Sequence, residues 1–155
     1  MYEFEVHAAS AASREEVWDV LVDSRRWPEW TGLPTPTMER EGVPAPYGLG
    51  AVRRFAWEPV GAREEVIEWD PPRRYGYAVI GGMPIRAYHA TVSLEQRGTG
   101  TAIAWRGVFE KATVPGLSRP LRWFTRAALR RFARGLGEQA GRAHEVTTKG
   151  ESGGS

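Results

Sequence analysis

The sequence predicts an α+β domain: a curved antiparallel sheet closed by one long C-terminal helix. Three observations predict it. Period-two alternation recurs in consecutive segments between Ala62 and Glu110. Helical signals interrupt the strands only once, directly after the first of them. From about Leu117 the apolar period changes to 3.6. Strands in a run followed by a helix argue α+β rather than an alternating α/β order. A sheet with aromatics on one face, closed by a single helix, encloses a hollow, and a ring-lined hollow is a place for a ligand.

The elements follow in order. Tyr2, Phe4, Val6 and Ala8 alternate with Glu3, Glu5 and His7, which makes a half-buried strand. Ser13-Arg14-Glu15-Glu16 is a capping box, and it opens a short helix that buries Val17, Trp18, Leu21 and Val22. A second helical turn is expected near Ser24–Trp27, interrupted by Pro28. Thr37–Glu41 is a strand candidate, followed by turn residues Pro44, Pro46, Gly48 and Gly50. Ala51–Glu58 and Arg63–Trp69 read as strands, the second stopped by Asp70-Pro71-Pro72. Tyr75, Tyr77 and Val79 share one face of the next strand. Arg86, Tyr88, Ala90, Val92 and Leu94 share one face of another. Arg97-Gly98-Thr99-Gly100 is a hairpin turn leading to a strand with Ile103, Trp105, Gly107 and Phe109 on one side. The last helix carries a stripe of Leu117, Leu121, Phe124, Ala128, Phe132, Leu136, Ala140 and Ala143, with Arg119, Arg126, Arg130 and Arg134 roughly opposite.

Bulk properties bound the function. The 155 residues fit one domain, expected over 1–146, with 147–155 a disordered or appended tail. No run approaches the roughly 20 apolar residues of a membrane span, and Met1–Glu5 lacks the features of a secretory signal. Cysteine is absent, which excludes disulfides, thiolate nucleophiles and Cys-ligated zinc and fits a cytoplasmic location. The net charge of +2 and the lack of a reading motif argue against nucleic acid. His7, His89 and His144 form no ligand spacing, so no metal and no cofactor are expected.

At this point the chain resembles a known family. Ser13–Trp18, Arg26-Trp27-Pro28-Glu29-Trp30, Gly48–Arg53, Glu65–Tyr75 and Gly100–Trp105, in this order and spacing, are similar to the SRPBCC superfamily, also called START-like or Bet v 1-like. Within it, the likeness is to the polyketide cyclase/dehydrase and lipid-transport proteins, over about residues 2–146. The resemblance implies a helix-grip fold: about seven strands wrapped around the C-terminal helix, two short helices after the first strand, and an apolar cavity between sheet and helix. Because its members include carriers, receptors, cyclases and chaperone activators, fold does not fix function.

Candidate site residues come from the inward faces. Phe55, Trp57, Tyr75, Tyr77, Tyr88, Trp105 and Phe109 are expected to point toward the helix. Phe124, Thr125, Ala128, Phe132 and Gln139 answer them from the helix itself. Each ring taken singly is better read as ordinary core; only the set together points to a hollow. Arg86, on the face of Tyr88, is an anchor for a carboxylate or enolate if inward and a rim arginine if not. Glu65 is an acid–base candidate only if its strand turns Ile67 and Trp69 inward, and Val66 leaves that register open. Arg119, Trp123, Arg126 and Arg130 could dock an acidic protein, such as an acyl carrier protein, or an anionic membrane, and could equally be a solvated face.

Three functions remain open: a binder of a small hydrophobic, aromatic or polyketide-like ligand; an aromatase, cyclase or dehydratase using the same hollow; and an interaction module acting through the basic helix.

Overall fold

The computed structural model describes residues 1–57 and 60–153; the side chains of Trp57 and Val60 lie outside the description. Among the described residues, nine strands and three α-helices follow in the order β1 (Tyr2–Ser10), α1 (Arg14–Val22), a 3-10 turn (Ser24–Arg26), α2 (Pro28–Thr31), β2 (Thr37–Arg40), β3 (Val52–Trp57), β4 (Val60–Asp70), β5 (Arg74–Gly81), β6 (Ile85–Arg86), β7 (His89–Arg97), β8 (Gly100–Phe109), β9 (Lys111–Ala112) and α3 (Ser118–Ser152). Seven strands form one sheet in the order β1-β8-β7-β5-β4-β3-β2, and β6 pairs with β9 apart from it. Every pairing is antiparallel. The expected sheet closed by a terminal helix is therefore the observed one.

Local chemistry places the pieces. The Ser13 hydroxyl accepts from the Glu16 amide at 3.2 Å, which caps α1, and donates to the Glu16 carboxylate at 3.1 Å. Pro28 starts α2 instead of merely interrupting a helix, because a missing N–H costs nothing at a first helical position. Ala87, with φ of 56°, turns the chain between β6 and β7. The expected single strand from Arg86 to Leu94 is thus two, and Arg86 does not share the buried face of Tyr88.

A bulge in β4 resolves the register left open by the sequence. Val66 pairs with Tyr77 but Glu68 pairs with Gly76, so Ile67 is the extra residue. Val66 and Trp69, an odd number of positions apart, both pack against the core while Ile67 faces water. Upstream of the bulge the inward residues are Ala62, Glu64 and Val66, so Glu64 is the buried carboxylate and not Glu65.

Helix α3 is rotated from the expected stripe by about 80° at 100° per residue. Its buried residues are Thr125, Leu129, Ala133, Leu136, Gly137 and Ala140. A Cβ on Gly137 would lie 2.5 Å from the Ala9 carbonyl oxygen, and one on Gly135 would lie 2.3 Å from that of Trp30. The Ser10 hydroxyl donates to the Gly137 carbonyl at 2.7 Å. Close backbone approach selects the face with the smallest residues, and this outweighs the hydrophobicity of Phe124, which is left 62% exposed. The helix also runs on to Ser152, where the sequence led us to expect a tail without fixed structure from 147.

Candidate functional site

The concave face of the sheet carries a ring cluster built around Trp27. This residue sits between the 3-10 turn and α2, where its indole N–H donates to the Leu21 carbonyl at 2.7 Å. Its ring lies 5.3 Å from Trp30, 5.7 Å from Phe55, 6.0 Å from Tyr77 and 6.2 Å from Trp105. Trp27 and Trp30 thus occupy space that the sequence assigned to a hollow. Tyr75, Tyr77, Tyr88 and Trp105 are all buried on this face as expected. Phe109 is buried too, but it packs at the β1 end, stacked on Tyr2 at 5.0 Å.

Beneath Trp27 lies a feature the sequence reading missed. Arg53 and Glu64 stand directly opposite each other on β3 and β4, and both are buried. Arg53 Nε and Nη2 donate to Glu64 Oε1 at 3.1 and 3.0 Å, and Nη1 donates to the Tyr75 hydroxyl. The guanidinium lies 4.1 Å from the centroid of the Trp27 ring, with Tyr77 and Phe55 at 5.3 and 5.6 Å. This is a cation held between aromatic faces. Period two carried the signal: Arg53 lies two residues before Phe55, on the same face. It was passed over because arginine is so seldom fully buried.

Burial sets the proton affinities. It pushes the Glu64 carboxyl above the ordinary 4.5, against the opposing pull of the Arg53 charge and hydrogen bonds. Arg53 stays a cation, since guanidinium does not deprotonate in proteins. Burial also raises Tyr75, Tyr77 and Tyr88, so all three are neutral hydroxyls at physiological pH. The Trp105 indole N–H lies close enough to favour an ionised Tyr77 oxygen, yet reaches no partner in hydrogen-bonding geometry. It is a buried, unused donor on the same face.

Other sequence candidates fall elsewhere. Arg86 is exposed and pairs with Glu110 at 3.4 Å, because Ala87 turns it off the Tyr88 face. Glu65 points to the outer face and pairs with Arg40 at 3.3 Å. The Thr125 hydroxyl is spent on the Leu121 carbonyl at 2.7 Å. Ala128 is half-buried, and half-buried Phe132 meets Trp105 at 6.1 Å. Gln139 donates to Glu29 at 3.1 Å and accepts from Arg142 at 2.7 Å. It lines an acidic groove of about 230 Å³ with Glu16, Asp19, Asp23 and Trp30, the last of which also belongs to the ring cluster. A second depression of about 460 Å³ lies between β1 and α3, lined by His7, Arg130, Arg134 and Glu138. Trp123 is 73% exposed. The side chain of Trp57 lies outside the described residues. Among the described residues no acidic or histidine cluster suits a metal, and no helix is long and apolar enough to cross a membrane.

Comparisons with known proteins agree with this architecture. The profile of the family described as polyketide cyclase / dehydrase and lipid transport matches residues 1–142. A START superfamily protein from Mycobacterium smegmatis superposes with a TM-score of 0.77 at 15% identity, covering 92% of this chain and 99% of that one. A protein from Thermobifida fusca gives a TM-score of 0.73 at 22% identity, with 92% and 95% covered. Norcoclaurine synthase from Thalictrum flavum, solved with dopamine and hydroxybenzaldehyde, gives 0.69 at 14% identity, with 88% and 84% covered. No curated protein sequence matches the chain.

Proposed function

The chain belongs to the polyketide cyclase/dehydrase and lipid-transport family, and from that premise we propose that it binds a small aromatic or polyketide-like ligand on the concave face of its sheet. The observation that carries the reading is the Arg53–Glu64 pair buried under Trp27. A desolvated ion pair is seldom better for stability than apolar residues of the same volume. A core built only to be stable has no need of one, whereas a binding face uses it to orient a polar group among rings. In this reading a ligand ring takes the position that Trp27 holds over the guanidinium. A ligand oxygen accepts from the Trp105 indole and from the tyrosine hydroxyls. Phe55, Tyr77 and Phe132 supply the apolar contact.

Norcoclaurine synthase, with a similar fold, was solved with two small aromatic compounds, and this supports the ligand class. Native mass spectrometry of freshly purified protein, followed by solvent extraction, tests the reading. One small aromatic adduct per chain, lost in the Arg53→Met/Glu64→Leu double variant, is the expected result. An adduct unaffected by that variant overturns the site.

A second reading rests on Glu64. A carboxyl with raised proton affinity beside three neutral tyrosines is equipped for acid–base catalysis of a dehydration or a dehydrative cyclisation, with the leaving hydroxyl released as water. A bound compound recovered with its mass lowered by one water, and recovered intact from Glu64→Gln, is the outcome this reading requires.

A further inference from the structure

The two halves of α3 are built differently. The second half is locked to β1 and α2 through Gly137 and Gly135. The first half has a second apolar face that none of the described residues covers. At 100° per residue, Pro120, Trp123, Phe124 and Ala127 fall on an arc centred opposite the buried Thr125, Leu129 and Ala133. All four are exposed, with Trp123 at 73% and Phe124 at 62%. Leu117 and Val114, just before the helix, are exposed as well.

The charge around this arc has one sign. Between Leu117 and Arg134 stand Arg119, Arg122, Arg126, Arg130, Arg131 and Arg134, with no carboxylate. Arg122 donates to the Glu3 carbonyl at 3.2 Å. Among the described residues, none of Arg119, Arg126, Arg130 and Arg134 is paired with a carboxylate. The protein as a whole carries only +2, so this positive field is concentrated on one half-helix.

We propose that the first half of α3 docks the protein on an anionic lipid surface, with Trp123 and Phe124 seated among the headgroups and the arginines beside them pairing with lipid phosphates. Exposed rings flanked by cations are what an interfacial helix presents. One sign of charge alone would also suit an acidic protein; the two adjoining exposed rings, Trp123 and Phe124, favour a lipid surface, where they sit at headgroup depth. The docking is independent of the ligand reading, because neither Trp123 nor Phe124 belongs to the concave ring cluster.

The test is vesicle co-sedimentation with the full chain, using phosphatidylcholine alone or with about 30 mol% phosphatidylglycerol. The expected result is at least about tenfold stronger partitioning onto the anionic vesicles, lost at about 0.5 M salt. A blue shift of tryptophan emission that is absent in Trp123→Ser should accompany binding. Trp123→Ser/Phe124→Ser and Arg126→Glu/Arg130→Glu should each abolish sedimentation while leaving the melting temperature unchanged. Equal partitioning onto both vesicle types, or sedimentation that survives either double variant, overturns the proposal. So does absence of binding to the anionic vesicles; capture of the protein by immobilised polyglutamate would then assign the face to an acidic protein.

Discussion

Two arginine–glutamate pairs sit within a few residues of each other on the same sheet and differ in almost everything but chemistry. Arg53–Glu64 bridges β3 and β4 on the concave face, where the side chains are 2% and 11% exposed. Arg63–Glu39 bridges β4 and β2 on the other face, where Arg63 is 46% and Glu39 31% exposed. Water screens the outer pair and competes for it, so holding those two chains together gains little. The inner pair has no water to fall back on, and each partner depends on the other. The same bond is thus dispensable on one face and obligatory on the other. Only the obligatory one lies on the ring-lined face.

The largest expected difference between the two faces comes from neutralising one carboxylate in each. Glu64→Gln leaves the Arg53 guanidinium buried without a counter-charge and should cost about 3–5 kcal/mol in urea unfolding. Glu39→Gln should shift the midpoint only slightly, because water screens that pair. Equal losses would erase the distinction drawn between the faces.

Removing both inner charges sharpens it. Arg53→Met/Glu64→Leu should recover most of the loss and unfold within about 1 kcal/mol of the parent protein. Ligand binding should nevertheless be gone. A double variant as unstable as the single one would mean the pair is needed for the fold itself.

A smaller effect appears in titration. Carboxyl NMR should place Glu64 above 4.5 because of burial, and Glu39 below 4.5 because of its hydrogen bonds from Arg63. The linkage signs are opposite. Glu64 binds its proton more tightly when folded, so its contribution is full below 4.5 and is lost as pH rises through the higher folded value. Glu39 contributes above 4.5, and its contribution is lost as pH falls through the lower folded value. A Glu64 midpoint at or below 4.5 would show that Arg53 outweighs burial.

The sheet and the long helix were legible because alternation and the 3.6 period survive in single residues. One question of face that the sequence left open, in β4, and one that it misjudged, in α3, had specific causes. Ile67 is an extra residue in β4, and a bulge leaves no composition signature, so Glu64 and Glu65 could not be told apart by counting. In α3, counting apolar residues favoured Phe124, but Gly135 and Gly137 set the rotation through backbone contact, which hydrophobicity does not record. Arg53 was legible by parity with Phe55 and lost to a sound expectation about arginine. Trp27 was visible as part of a motif. That its ring would fill the concave face depended on how the 3-10 turn folds over the sheet, which only tertiary packing decides.

The most direct test of the concave-face reading is a titration of the protein with 2-naphthol, followed by the indole N–H resonances of its tryptophans in ¹⁵N-labelled material. Binding on the concave face predicts saturable, one-site shifts of Trp27 and Trp105, absent in Arg53→Met/Glu64→Leu. Shifts confined to Trp123, with Trp27 and Trp105 unmoved at saturation, would contradict it.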